Sequence, residues 1–350
     1  MEIRRKGKLK PKEIKIISMQ MCGMLRSGCD IITVLDTIIY SSTDKISETM
    51  LKIRDEIEFG KSITESFSRT NMFPKFFTNV LYAGDSSGNT DIVFEKLAQY
   101  YDREEKVKAK IMSASIYPAI LFLVSTIAIN FIFIFVIGNF KKAFDIGETN
   151  IPNSTKVIFF ISDFIRKYIV YIYVLIFLSI IYTVKTVRES DRARLWIDKK
   201  KMSMPILRGV ISLKLSEKFS RVLLIMISSG INITDSMEAA TNVIGNRYAE
   251  MKLEKSMELI EEGNQIADSL EQSGIFPKVF ISMLKSGEES GNFDKSLEEI
   301  STYFNQELDI KVEKILKTME PLMIAVMGLI IGITMISLIY PMINMISGIE

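Results

Sequence analysis

The chain has 350 residues, 44 Lys and Arg against 42 Asp and Glu, and no histidine. This length allows two domains, and a net charge of +2 with no basic patch argues against a nucleic-acid partner. The lack of histidine removes the commonest general base and metal ligand, and Cys22 and Cys29 are interpreted as small apolar core residues in a reducing cytoplasm.

The N-terminal part of the chain is predicted to form a basic tail and then a helical domain. Residues 1–11 lack the apolar core of a signal peptide. From residue 12 to residue 110 apolar residues recur at helical spacing, as in Ile14, Ile17 and Met21. Breaks at glycine, serine and proline divide this stretch into about six short helices. Because no alternating strand pattern occurs, we predict an all-α domain.

Three uncharged runs are long enough to cross a bilayer, which takes about 20 helical residues. We predict transmembrane helices at 111–140, at 168–184 and at 321–346. The second run is short, but basic residues at its ends can snorkel, and its start is left open as far back as Val157. The other predicted segments are an extracytoplasmic connector at 141–167, a second helical domain of about six helices at 185–320 with a basic linker at 185–212, and an extracytoplasmic C-terminus at 347–350.

The distribution of Lys and Arg predicts the orientation of these spans. Basic residues are concentrated before the first span, after the second and before the third. Positive residues favour the cytoplasmic side, so we expect the N-terminus and both domains in the cytoplasm, and the connector and C-terminus outside. Two spans separate the domains, which independently predicts that both domains lie on one side.

The two domains are copies of each other. Moving Phe73–Pro118 forward by 203 positions places it on Phe276–Pro321. A Phe-Pro pair, a glycine-bracketed acidic turn and a proline ahead of an uncharged run recur in the same order. Tyr100 with Tyr303 and Glu104 with Glu307 share the same shift. Farther upstream a one-residue slip reduces the shift to 202 and places Ser27-Gly28 on Ser229-Gly230.

The repeated turns at 84–89 and 287–292 are the candidate functional positions. Glycine permits positive φ and ends a helix, which favours a structural role. The alternative is a partner contact, or a metal held by Asp85 or by Glu288 and Glu289. The candidates are Gly84, Asp85, Gly88, Gly287, Glu288, Glu289 and Gly291, together with Pro118 and Pro321, at which the chain enters the membrane.

Other motifs give no support for catalysis or for a cofactor. Gly60-Lys61-Ser62 lacks the glycine that a phosphate-binding loop needs five residues earlier, because that position is Asp55. The acidic group Glu258, Glu261 and Glu262 is interpreted as a solvated helix face rather than a calcium site. A non-enzymatic membrane protein is therefore predicted. A small-solute transporter or a membrane signalling or scaffold protein is the alternative function, although the span cores lack the ionisable residues of a transport pathway.

The ordered, duplicated set of Ser-Gly, Phe-Pro, glycine-turn and proline motifs resembles the type II secretion system F family. This family includes the PilC-type platform proteins of type IV pilus, competence-pilus and type II secretion machines. The resemblance covers roughly residues 12–346. The short tail before residue 12 differs from relatives with a longer N-terminal extension and favours the pilus or competence branch.

The resemblance implies a multi-pass protein of the bacterial cytoplasmic membrane. It implies that the protein couples a cytoplasmic hexameric ATPase to the insertion or removal of pilin subunits. The implied partners are this assembly or retraction ATPase, pilin or pseudopilin subunits, other inner-membrane assembly proteins, the lipid bilayer, and further copies of the chain in a dimer or larger homo-oligomer.

Overall fold

The computed structural model describes residues 8–146 and 153–347. Every regular element in these residues is a helix, which confirms the predicted all-α class. The chain divides into two compact units. The first consists of the residues up to Lys110 together with Leu195–Ile310, and it contains both helical bundles. The second consists of Ile111–Arg194 together with the residues from Lys311 onward, and it contains the apolar spans.

The first bundle has six helices, as predicted. Apolar residues three and four positions apart place one face of the first helix in the core, where Ile14, Ile17 and Met21 are almost completely buried. Side chains set two of the helix starts: Asp30 accepts the Thr33 N–H at 3.0 Å, and Ser62 caps the fourth helix. The helices are α1 (Pro11–Arg26), α2 (Ile31–Ser41), α3 (Asp44–Glu58), α4 (Ile63–Arg69), α5 (Lys75–Ser87) and α6 (Thr90–Phe131).

The second half of the chain repeats this order. A π-helical turn (Ile132–Val136) leads from α6 into α7 (Ile137–Ile146), and α8 (Asn153–Glu189) and α9 (Asp191–Ser203) precede the second bundle. Six further helices then match α1 to α6 one by one, so the predicted duplication is also structural. They are α10 (Pro205–Ile227), α11 (Ile233–Val243), α12 (Arg247–Glu261), α13 (Ile266–Ser273), α14 (Lys278–Glu289) and α15 (Phe293–Ser347).

The repeated Phe-Pro pairs build equivalent parts of the core. Phe73 stacks on Phe77 with ring centres 4.5 Å apart, and Phe276 stacks on Phe280 with ring centres 4.2 Å apart. The following prolines occupy the N-cap positions of α5 and α14, where a missing N–H is harmless. Burial of one such aromatic ring contributes about 2–3 kcal/mol, so each Phe-Pro pair both anchors and starts a helix.

Among the residues that the structure describes, three helices are long and apolar enough to cross a membrane. The qualifying stretches are Thr90–Lys142, Thr155–Val187 and Phe293–Ser337, and very little of their most apolar windows is buried. Large side chains such as Phe122 and Leu329 are exposed on them. Exposure of this kind fits helices that face lipid, where apolar surface carries no penalty. The chain is a membrane protein.

The segments interpreted as connector and linker are largely helical where the structure describes them. Helical residues reach Ile146 and resume at Asn153, so most of the predicted connector 141–167 is helical, and 147–152 lies outside the described residues. Likewise α9 and the start of α10 fall within the predicted linker 185–212. Charged residues interrupt the apolar pattern in both stretches. The helical periodicity is therefore weak there, and uncharged runs alone do not indicate these helices.

Candidate functional site

The glycines of the two repeated turns have separate structural tasks. Gly88 and Gly291 have φ values of 74° and 70°, in the left-handed region where a side chain is strained. Gly84 and Gly287 instead lie where the next helix crosses closely. A Cβ on Gly84 would come within 2.4 Å of Val93, and one on Gly287 within 2.3 Å of Ser296. Each turn therefore needs both of its glycines for geometric reasons.

The first acidic residue of each turn caps a distant helix. A carboxylate oxygen of Asp85 accepts the Thr64 N–H at 3.0 Å, at the start of α4. Glu288, the equivalent residue, accepts the N–H groups of Ile266 and Ala267 at 2.8 and 3.0 Å, at the start of α13. A carboxylate here satisfies backbone donors that have no partner within the helix. The acidic character of the turn thus has a structural cause that neighbouring sequence does not reveal.

The remaining acidic residues stay on the surface. Glu289 is exposed and lies one residue beyond the cap. Glu258, Glu261 and Glu262 are exposed around the end of α12. Within residues 8–146 and 153–347, no three Asp, Glu, Cys or His side chains come close enough to hold a metal ion. Of the two glutamates in the second turn, Glu289 is therefore the one whose side chain is exposed.

A charged junction joins the two bundles, and the sequence analysis did not single it out. Arg221 of α10 lies with its Nη2 3.2 Å from Oε1 of Glu104 and 3.2 Å from the Glu217 carboxylate. Its guanidinium also lies over the ring of Tyr100, 4.8 Å from the ring centre. Arg221 thereby connects α6 of the first bundle to α10 of the second through an ion pair and a cation–π contact.

Burial makes the charges of this junction costly. Glu217 is only 3% exposed, and this burial raises the pKa of its carboxyl group while Arg221 opposes the rise. Burial also lowers the pKa of the Lys218 amine, against the attraction of Glu104. Buried ion pairs add little net stability because desolvation offsets the attraction, but loss of one partner is expensive. The junction therefore determines the arrangement in which the two bundles pack, and it adds little to the free energy of that packing.

The second Ser-Gly motif also takes part in the contact between the bundles. The Lys96 amine donates to the Ser228 carbonyl at 2.8 Å, and it contacts the hydroxyls of Ser228 and Ser229 at 3.0 and 3.3 Å. Burial lowers the pKa of Lys96. Farther along α6, Arg103 and Lys110 reach the Asp309 carboxylate. Polar contacts therefore follow α6 from one end of the junction to the other.

An open cleft of about 1310 Å³ lies beside the junction, between α5 and α11. Its first wall includes Lys75, Phe76 and Tyr82, and its second wall includes Asp235 and Glu238. The cleft therefore has a basic and aromatic wall opposite an acidic wall.

The two prolines lie inside continuous helices. Pro118 is within α6 and Pro321 within α15, so neither helix begins afresh at its proline. The residues that directly precede them contact each other: the Tyr117 hydroxyl donates to Oε1 of Glu320 at 2.9 Å. The prolines thus mark the place where α6 and α15 approach each other.

Polar groups inside the spans bond to neighbouring helices. The Asn130 amide donates to the Tyr173 hydroxyl at 2.9 Å, and the Thr155 hydroxyl donates to the Ser337 carbonyl at 2.8 Å. The Ser162 hydroxyl donates to the Phe133 carbonyl in the π-helical turn. Such bonds hold membrane helices together. Asn130, the main polar residue of the first span, thus has a packing role.

Comparison with known proteins gives a match in both halves of the chain. The family model described as Type II secretion system (T2SS), protein F matches residues 17–138 and 219–341. The type IV pilus assembly protein PilC of Thermus thermophilus is 26% identical to the chain over 96% of its length and 83% of the relative. TapC of Aeromonas hydrophila, also named for type IV pilus assembly, is 28% identical over 96% and 82%. The type II secretion system protein F of Vibrio cholerae is 27% identical over 93% and 81%.

Proposed function

Because the chain belongs to the type II secretion system protein F family, we propose that it is the membrane platform protein of a type IV pilus or type II secretion machine. The observation that carries this proposal is the double family match, which takes in both bundles and extends into an apolar span each time. Relatives named for pilus assembly and relatives named for secretion both align over nearly the whole chain.

The proposed role is mechanical rather than catalytic. A cytoplasmic ATPase would supply the work, and pilin subunits would be moved into or out of the membrane as a result. Support comes from α6 and α15, each of which runs without a break from bundle residues into a span. A continuous helix is stiffer than a flexible linker and transmits a displacement along its length. A partner that moves a bundle can therefore also move the span.

The proposed topology places both bundles and the N-terminus in the cytoplasm. The connector at 141–167 and the C-terminus would lie on the other side of the cytoplasmic membrane. The basis is the concentration of Lys and Arg at the bundle ends of the spans. A cytoplasmic position makes the bundles accessible to an ATPase, and we further propose that pilins, other assembly proteins and additional copies of the chain contact this protein.

Glu289 is our candidate for contact with the ATPase. It is exposed at the end of α14, whereas its neighbour Glu288 is engaged by two backbone N–H groups. Reversing the charge of Glu289 therefore tests a partner contact without removing a helix cap. Glu261 at the end of α12 is likewise exposed and provides a matched charge reversal outside the turn.

The test is complementation in a piliated host that lacks its own copy of this gene. We expect the wild-type chain to restore surface pili, counted by electron microscopy, and to co-purify with the assembly ATPase. Glu289→Lys should reduce both readouts, whereas Glu261→Lys should reduce neither and both variants should reach the membrane in equal amounts. Normal pili in the deletion strain would contradict the platform role, while equal behaviour of the two variants would contradict only the Glu289 contact.

A further inference from the structure

The two bundles contact each other through non-equivalent faces. The first bundle uses α5 and α6, where Phe76 and Tyr100 lie. The second bundle uses α10 and α11, where Arg221 and Asn242 lie. Because the bundles are copies, each carries both kinds of face. Although α15 meets α6 through Asp309, the contact leaves two faces of the described residues without a bundle against them. One is the side of α14 and α15 that carries Val279 and Tyr303, and the other is the side of α1 and α2 that carries Met19 and Tyr40.

The exposed fractions of equivalent residues in the two bundles show which surface on the second bundle has no neighbour. Tyr100 is 3% exposed and Phe76 is 2% exposed, because the second bundle covers them. Their equivalents on the second bundle, Tyr303 and Val279, are 40% and 48% exposed. Apolar surface that is buried in one copy of a repeat therefore remains open to solvent in the other.

The complementary face on the first bundle is open in the same way. Met19 occupies the position equivalent to Arg221 and is 54% exposed. Tyr40 occupies the position equivalent to Asn242 and is 95% exposed. Exposed Met and Tyr side chains at corresponding positions give an apolar surface of the kind enriched in protein interfaces.

We propose that a second copy of this chain covers these faces, with α14 and α15 of one copy packing on α1 and α2 of the next. The arrangement repeats between chains the contact that the two bundles already make within the chain. It places Tyr303 of one copy on Met19 of the other, in the way that Tyr100 meets Arg221. Methionine sulfur packs favourably against aromatic rings, so the exchange of Arg for Met retains an attractive contact.

The charges of the two open faces are complementary. Lys96 contacts Ser228 within the chain, and the equivalents of these residues are Glu299 and Arg26, which carry opposite charges. Arg26 already pairs with Glu95 at 2.6 Å and lies 3.9 Å from Asp91, yet its side chain remains 53% exposed and can donate to a further carboxylate. Complementary charges at matching positions favour correct alignment of the two copies.

The other edge of the open faces shows the same complementarity. Lys75 and Glu238 line opposite walls of the cleft within the chain. Their equivalents, Lys278 on the second bundle and Asp36 on the first, again carry opposite charges and are exposed. Opposite charges at both edges select one register of the two faces over others.

This association is head-to-tail, since each copy contributes a different face. Repetition of a head-to-tail contact gives a ring when the rotation closes and a filament when it does not. The contact involves only this chain, so it can be measured on purified protein without a pilin or an ATPase. Its failure would leave the platform role untouched, and failure of the platform role would leave this contact untouched.

The test is disulfide cross-linking between two singly substituted full-length chains in detergent. Both chains carry Cys22→Ala and Cys29→Ala, one with Met19→Cys and the other with Tyr303→Cys. We expect mild oxidation of the mixture to give a cross-linked heterodimer. Thr302→Cys is the matched control, because Thr302 is exposed but lies about 100° around α15 from Tyr303. It should cross-link to Met19→Cys at least about tenfold less.

Three outcomes would overturn the proposal. One is the absence of a heterodimer above the Thr302→Cys control. Another is cross-linking of Met19→Cys chains with each other, which would indicate a two-fold contact. The third is an intramolecular disulfide in the Met19→Cys/Tyr303→Cys double variant, which would mean that the open faces meet within one chain.

A measurement without cysteines provides a second test. Sedimentation of the full-length chain in detergent should show concentration-dependent association, and Tyr303→Ala should raise the dissociation constant about tenfold or more. Thr302→Ala, the matched substitution, should change it less than about twofold. Equal dissociation constants for the wild-type chain and Tyr303→Ala would contradict the proposal.

Discussion

The Tyr117 hydroxyl donates a 2.9 Å hydrogen bond to the carboxylate of Glu320, the residue at the same position in the second copy of the repeat. Each of the two residues directly precedes a proline. The bundles, in contrast, meet through non-equivalent faces, with Arg221 packed on Tyr100. The duplication thus produced two different internal contacts: a meeting of equivalent positions beside the prolines, and a head-to-tail meeting in the bundles.

The Tyr117–Glu320 bond can be measured with a double-mutant cycle. We expect Tyr117→Phe and Glu320→Ala each to lower the free energy of unfolding, with a coupling energy of about 0.5–1.5 kcal/mol. The value stays small because the bond is exposed. Tyr171→Phe, on an exposed tyrosine of α8, is the control and should show no coupling to Glu320→Ala. Strict additivity for the Tyr117 pair would show that the bond contributes nothing.

A second prediction concerns Arg221, which neutralises a buried carboxylate. Arg221→Met should lower the free energy of unfolding by about 3–5 kcal/mol, since it leaves the Glu217 charge buried without its partner. The combined variant Glu217→Leu/Arg221→Met should lose less than the single variant, because no uncompensated charge then remains at Glu217. The measurement is denaturant unfolding of the full-length chain in detergent.

The control for Arg221 is an ion pair with the same spacing on the surface. Arg69 and Glu65 are also four residues apart on one helix, but their side chains are 55% and 47% exposed. Arg69→Met should therefore change the free energy of unfolding by no more than about 0.5 kcal/mol. If the two substitutions had equal effects, the Arg221 junction would be no more than a surface pair.

The burial of Glu217 leads us to expect that the stability of the protein depends on pH. Burial raises the pKa of its carboxyl group above the ordinary 4.5, so the folded state binds a proton more readily than the unfolded state. The corresponding stabilisation is fully present below about pH 4.5 and is lost as the pH rises through the folded-state pKa. We therefore expect the stability of the wild-type chain relative to Glu217→Gln to increase as the pH falls through this window. A constant difference would contradict the buried titration.

The architecture could be predicted from the sequence because each motif occurs in both copies of the repeat, so each interpretation can be checked at a second place. The Phe-Pro pairs, the glycine turns and the uncharged runs recur in order, and each has the same structural role in both copies. A pattern that is ambiguous alone, such as Gly84–Gly88, becomes informative because its counterpart keeps both glycines, an acidic residue after the first and a serine before the second. Helix starts in charged stretches were missed, as with α9, because the periodic signal there is weak.

The junction between the bundles could not be predicted, because the repeat carries no information about it. Arg221 and Met19 occupy equivalent positions but differ in chemistry, and their local sequence does not show which face meets a neighbour. The same holds for Asp85 and Glu288, whose hydrogen-bond partners lie about twenty residues earlier in the chain. Contacts between distant segments depend on packing, which periodicity along one helix does not encode.

The last prediction separates the two glutamates of the second turn. Glu288 accepts the N–H groups of Ile266 and Ala267, whereas Glu289 is exposed. Glu288→Ala should therefore lower the free energy of unfolding by about 0.5–2 kcal/mol, the usual cost of a lost helix cap, and Asp85→Ala should do the same in the first bundle. Glu289→Ala should stay within about 0.5 kcal/mol of the wild-type chain.

Hydrogen exchange locates the effect of the Glu288 substitution within the chain. In Glu288→Ala the amides of Ile266 and Ala267 should exchange faster, because they lose their acceptor and the first turn of α13 opens more readily. The Thr64 amide, held by Asp85 in the other bundle, should keep its wild-type rate in this variant. If the Ile266 and Ala267 amides kept their wild-type rates while Thr64 changed, the capping role of Glu288 would be wrong. If all three amides changed together, the substitution would act by global destabilisation rather than at the cap.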